Sequence, residues 1–139
     1  MRDYLKRDRS SEALDARQFA FDSPRVAASD ELAEQAAESF TPGRPWMAAL
    51  LDLTDRIYRE FTYDPTATTV ATPLDTVLKL RCGVCQDFAH LQIGCLRSLG
   101  LPARYVSGYL LTTPPPGQPR LVGADASHAW LSAYCPVLG

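Results

Sequence analysis

The sequence predicts an α+β fold, and three observations carry the prediction. Apolar residues recur at helical spacing through two early segments. A third helical segment, 84–99, is patterned more strongly than any other, and two stretches after it read as strands. At 139 residues, with 46% hydrophobic and 22% charged side chains, the chain has the length and composition for one core.

Residues 1–28 show little periodicity and receive no assignment. In "FDSPRVAASDELAEQAAESF" a helix starts at Ser29 or Asp30, with acidic residues in its first turn and Leu32, Ala36 and Phe40 on one stripe. The break "TPGRP" at 41–45 ends it. A second helix over 46–61 sets Leu50, Leu53, Ile57 and Phe61 at helical spacing. The prolines of "YDPTATTVATP" at 63–73 make an irregular connector, and "PLDTVLKLR" reads as a short helix. Within 84–99, Val84, Phe88, Leu91, Cys95 and Leu99 share one face, while Gln86, His90 and Arg97 fall on another. Gly100 stops this helix and Pro102 forbids its continuation. "ARYVSGYLLT" at 103–112 reads as a strand and "PPPGQPR" at 114–120 as a loop. "HAWLSAY" at 128–134 alternates, with His128, Trp130, Ser132 and Tyr134 on one face and Ala129, Leu131 and Ala133 on the other.

Charge and composition narrow the function classes. Formal net charge is −2, and no Lys/Arg cluster is dense enough to track phosphates; "RDYLKRDR" at 2–9 reads as a solvated face. No nucleic-acid partner is expected. No apolar run reaches the ~18 residues of a membrane span, and no apolar segment of a secretory signal follows the N-terminus. The four cysteines, Cys82, Cys85, Cys95 and Cys135, are expected as thiols in a reducing compartment, so the expected location is cytoplasmic.

The chemistry concentrates in "RCGVCQDFAHLQ" at 81–92. Cys82 and Cys85 make half of a zinc site, but Cys95, Cys135, His90 and His128 are scattered without a second knuckle, so no metal is expected. A thioredoxin-like pair needs a strand leading into it, and a short helix stands there instead. Cys95 lies on the apolar stripe as a core residue, and Cys135 is expected in core or edge packing. Cys85 differs by position. Gly83 lets the chain turn so that Cys85 opens the helix, where unpaired N–H groups favour a thiolate. A nucleophile also needs a base. His90 lies five residues along the same helix, about 7.5 Å up and about 140° round, out of easy reach. His128 begins a strand and is free to approach. Position alone leaves Cys85 open as an inert cysteine or as a nucleophile.

"GVCQDFAHLQIGCLRSLGLPARYVSGYL" followed by "GADASHAWLSAY" resembles the core of the bacterial transglutaminase-like family, part of the papain-like cysteine protease superfamily. "FTYDPTATTVATPLDTVLKLRCG" resembles the run leading into that core. The likeness covers roughly 45–139 and, more loosely, 22–44. It implies a papain-like fold, with a central helix carrying the nucleophile at its N-terminus and packed on an antiparallel sheet. Residues 1–44 become a lead-in segment with one helix, and 45–139 a catalytic core that is incomplete at its C-terminus.

Carried over residue by residue, the resemblance makes Cys85 the nucleophile and His128 the general base. The family's third member, an aspartate on the strand after the histidine strand, falls beyond Gly139. Asp125 reads as a turn residue, and the chain is therefore expected to be a weak fragment. The backbone N–H of Cys85 is an oxyanion donor, with Gln86 as a candidate second. Trp130 is a candidate shield of the Cys–His pair. Asp87 is expected to pair with Arg104 or Arg81 as scaffold. No cofactor and no calcium site are implied, and the partner implied is a protein or peptide substrate. The implied activity is attack on an amide or peptide bond through a thioester, more peptidase or amidase than cross-linker. The alternative is an inactive papain-like binding or scaffold domain, against which stands the presence of both Cys85 and His128. Hydrolysis or amine transfer, the substrate itself and the oligomeric state lie beyond the sequence.

Overall fold

The computed structural model describes residues 7–110, 116–117 and 127–135. Helix α1 (Ser11–Arg17) starts where the Ser10 hydroxyl accepts the Ala13 N–H, and a 3₁₀ turn, Gln18–Ala20, continues it. It lies in the stretch that periodicity leaves unassigned, because seven residues are too few to display a helical repeat. Helix α2 (Asp30–Ala37) is capped by Ser29, whose Oγ accepts the Leu32 N–H at 3.3 Å, and buries Leu32 and Ala36 as its stripe predicts. Helix α3 (Trp46–Glu60) buries Ala49, Leu53 and Ile57, with Phe61 buried just beyond its end.

Two short strands then frame the next helix. Strand β1 (Thr62–Tyr63) runs parallel to β2 (Cys82–Gly83), with α4 (Leu74–Leu80) between them. Both strands fall where the sequence predicts connector and loop. Two-residue strands carry no pattern of their own; the pairing of Thr62 with Cys82 and of Tyr63 with Gly83 comes from tertiary packing.

Helix α5 (Cys85–Ser98) is the centre of the molecule, packed by α2, α3 and α4 and by both longer strands. Leu91, Cys95 and Leu96 are fully buried. The sequence predicts one apolar face, and the structure buries nearly the whole circumference, including Asp87, Gln92 and Arg97. Arg97 is thus a correction to the polar face. Its guanidinium donates to the Ala103 carbonyl at 3.2 and 3.0 Å, to the Phe19 carbonyl at 2.9 Å and to Ser23 Oγ at 2.9 Å. A buried cation is tolerable because acceptors surround it. The helix ends as predicted. Gly100 takes φ +70°, its N–H meets the Arg97 carbonyl at 2.7 Å, and the Leu101 N–H reaches back to Leu96 at 2.9 Å.

Strands β3 (Ala103–Tyr109) and β4 (Ser127–Ala133) are antiparallel, in register from Ala103 opposite Ala133 to Tyr109 opposite Ser127. Leu131 and Ala133 pack on the core, the parity the alternation predicts. Leu110 lies past the end of β3. Residues 111–112, most of the 114–120 loop and Asp125 lie outside the described residues. No described helix is long and apolar enough to cross a membrane.

Replacing Arg97 by Met keeps the volume of the stem but strips the Ala103 carbonyl of its donors. A buried acceptor left unpaired costs about 1–3 kcal/mol. Urea unfolding of Arg97→Met is expected to show a loss of that size, with Arg97→Lys losing less.

Candidate active site

Cys85 is the first residue of α5 and is half-buried. Its position is fixed by the two residues before it and the carboxylate two after it. The Asp87 Oδ2 accepts the Val84 N–H at 2.9 Å and the Thr68 hydroxyl at 2.6 Å. One carboxylate therefore satisfies a backbone donor at the helix start and ties down the connector from β1. Asp87 is scaffold, as expected, but its partners are Val84 and Thr68, not an arginine. Arg81 instead pairs with Glu60 at 2.7 Å, and Arg104 lies over the Phe19 ring. Gly83 makes the turn possible: a Cβ there would stand 2.7 Å from Asp87 Oδ2 and 2.9 Å from its Cβ.

The same backbone separates Cys82 from Cys85. Gly83 is in a strand and Val84 is extended, at φ −118° and ψ 179°. Three extended steps carry the Cα atoms about 10 Å apart, whereas a disulfide holds them within about 7 Å. Among the described residues no three His, Cys, Asp or Glu side chains gather as a metal site requires.

Cys85 opens onto a groove of about 350 Å³ between α3, the start of α5 and β4. Ile57 and Tyr58 line it from α3, Phe61 and Tyr63 from the β1 region, and Phe88 and Ala89 from α5. The β4 wall is Ala129, Trp130 and Leu131. Trp130 thus joins Cys85 in one groove. Its ring lies against Gly108, where an added Cβ would meet it at 2.8 Å, and Gly108 is the residue paired with His128. His128 is half-buried, one residue outside the stretch of β4 that walls the groove, on the Trp130 face. Gln86, also half-buried, is not part of the wall.

The remaining titratable groups of α5 are sorted by burial. His90 stacks on Tyr105 with centroids 4.9 Å apart. Burial holds its pKa below the usual 6.5, against an upward pull from Asp87. Tyr105 is pushed up, first by burial and then by the charge of Cys85. Sequence reading missed its contact with His90, because only the packing of β3 on the helix brings the two rings together. Burial pushes the Cys95 thiol up to about 12, the inert core cysteine that its stripe predicts. Cys135, expected in packing, is exposed just past the end of β4.

Two outcomes follow from this arrangement. Asp87→Ala removes the helix-start acceptor, and such losses cost about 0.5–2 kcal/mol; urea midpoints should fall accordingly for both Asp87→Ala and Gly83→Ala. His90 resists protonation in the folded state, so the unfolded chain binds more protons below pH 6.5. Stability therefore declines as pH falls through 6.5 toward the depressed folded value, and His90→Gln should flatten that decline in urea titrations between pH 7.5 and 5.

Comparison with known proteins agrees with this geometry. Residues 30–139 match the model of the transglutaminase-like superfamily. An uncharacterized protein of Mycobacterium tuberculosis is 51% identical over 121 residues, which are 87% of this chain and 38% of that protein. A protein-glutamine gamma-glutamyltransferase of Pseudomonas aeruginosa is 31% identical over 117 residues, 84% of this chain and 17% of that one. The crystal structure of a candidate cysteine protease from Cytophaga hutchinsonii superposes with TM-score 0.70 at 33% identity, covering 86% of this chain and 38% of its own. This chain spans less than half the length of each. With the central helix opening on Cys85 and packed on an antiparallel sheet, the chain has a papain-like architecture and belongs to the transglutaminase-like superfamily.

Proposed function

We propose that this is a cysteine enzyme that cleaves amide or peptide bonds, with Cys85 as nucleophile and His128 as general base. The observation that carries the proposal is the thiol of Cys85 at the first residue of a buried helix, opening directly onto a groove. The N–H groups of Cys85 and Gln86 stand at a helix start, where no intrahelical carbonyl can take them, and they suit a developing oxyanion.

The reaction runs in two halves. The Cys85 sulfur attacks the carbonyl carbon, a C–S bond forms, and the proton from the thiol passes to His128. The imidazolium then gives that proton to the leaving nitrogen as the C–N bond breaks, leaving a thioester. Water, deprotonated by His128, attacks the thioester and releases a carboxylic acid and the thiol. We take water as the acceptor, in keeping with the Cytophaga relative; a primary amine in its place gives transfer, the activity named for the Pseudomonas relative.

Limiting iodoacetamide at pH 6–7 is expected to label Cys85 before Cys82 or Cys95, read by peptide mass mapping; prior labelling of either would overturn the nucleophile assignment. With amide and glutamine-peptide substrates, Cys85→Ala and His128→Ala should each lower kcat/KM by about 10³-fold or more. Activity that survives Cys85→Ala would favour the inactive-site reading, with turnover from a contaminant. Ammonia release without incorporation of a fluorescent primary amine identifies hydrolysis.

A further inference from the structure

The groove beside Cys85 carries a second message, about what the enzyme accepts. Among the described residues no charged side chain lines it. Five of its walls are aromatic: Tyr58, Phe61, Tyr63, Phe88 and Trp130. Of its polar side chains, Gln92 and Thr54 bond each other: Gln92 Nε2 donates to Thr54 Oγ1 at 2.6 Å, and Thr54 donates to the Leu50 carbonyl at 2.9 Å. A charged group entering here would lose its hydration against walls that, among the described residues, carry no charge to pair with it. Three of the aromatic walls nevertheless stay open to solvent: Tyr58 is 83% exposed, Tyr63 63% and Trp130 42%. Such an apolar cleft, with a nucleophile in its wall, must remain accessible for any acyl group to reach the sulfur. Its occupant is therefore part of the substrate itself.

We infer that this groove is the specificity pocket for an acyl donor carrying an uncharged aromatic or large aliphatic side chain next to the scissile carbonyl. The inference rests on Cys85 being the nucleophile. Tyr58 and Trp130, both walls of the groove, are then specificity-determining residues, together with Phe61 and Phe88, whose rings meet edge-on at 6.1 Å. An acidic or basic side chain at the same substrate position is excluded by desolvation.

Three alkylating probes test this on the intact chain: iodoacetamide, iodoacetate and N-benzyl iodoacetamide. In each case the sulfur forms a bond to the methylene carbon and iodide leaves. Rates at Cys85, measured by mass mapping and divided by each probe's rate with glutathione, isolate the contribution of the groove. Burying a phenyl ring in the groove should speed the benzyl probe by about tenfold or more over iodoacetamide, and iodoacetate should be the slowest. Tyr58→Ala and Trp130→Ala should each reduce the benzyl preference severalfold, while Phe21→Ala, an exposed aromatic outside the groove, should leave it unchanged. If Cys85 remains the first thiol labelled but the corrected rates of the three probes are equal, the pocket assignment fails and the enzymatic reading stands. If Cys82 or Cys95 is labelled ahead of Cys85, the enzymatic reading fails and takes the pocket with it.

Discussion

The start of α5 leaves backbone donors that no carbonyl of its own turns can take, so they need an acceptor from elsewhere. Asp87 supplies it. The carboxylate folds back to the Val84 N–H and at the same time receives the Thr68 hydroxyl. Around this one group the neighbouring choices become necessary. Gly83 has to be glycine because the carboxylate occupies the space of its Cβ. The connector after β1 has to pass close by so that Thr68 can donate. β1 and β2 hold that approach in place, with the Asp64 N–H on the Gly83 carbonyl at 2.9 Å. Cys85 is left pointing into the groove with its own backbone donor uncommitted to a side-chain cap.

Charge is kept on the far side of α3. Arg56 reaches Glu38 at 2.9 Å, Glu60 at 3.1 Å and the Gln35 carbonyl at 2.8 Å, while Arg81 joins Glu60 and lies 4.8 Å over the Phe61 ring. Arg81 also adopts φ +54°, a left-handed conformation that costs a non-glycine residue about 1 kcal/mol or more. Its side-chain contacts hold it there, immediately before Cys82. The network thus fixes where the chain enters the turn from Cys82 to Cys85 and pairs these ionic side chains with one another. Phe61 is the partition: one ring face takes the guanidinium, and the side chain also walls the groove.

Local signals in the sequence were enough for α2, α3, α4 and α5, because each has a cap, a break or a repeat long enough to read. The Ser29 cap, the Gly100 stop and the inward parity of Leu131 and Ala133 all come from rules that span a few residues. What escaped depends on juxtaposition. β1 and β2 exist because their two backbones meet, and neither has a pattern alone. Arg97 looks like a surface residue until both sides of its helix are covered. Tyr105 reads as one strand residue among seven until the sheet sets it against His90. At the candidate site, Cys85 and Trp130 were singled out from the sequence and line one groove, whereas the partners of Asp87 were not foreseen. A carboxylate that is expected to seek an arginine found a backbone N–H and a threonine nearer.

The guanidinium of Arg97 also bears on where this domain begins. The match to the superfamily's model starts at residue 30. Two of the acceptors that keep this cation comfortable, the Phe19 carbonyl and Ser23 Oγ, come from upstream of that point. The segment before residue 30 is therefore a structural part of the domain by the measure of buried charge, upstream of where the superfamily's model begins. Homology marks the part of a chain that evolution holds to a pattern; solvation marks the part that folds as one body. Here the folded body begins upstream of the family model, and a boundary set at residue 30 would leave a buried cation facing water or a void.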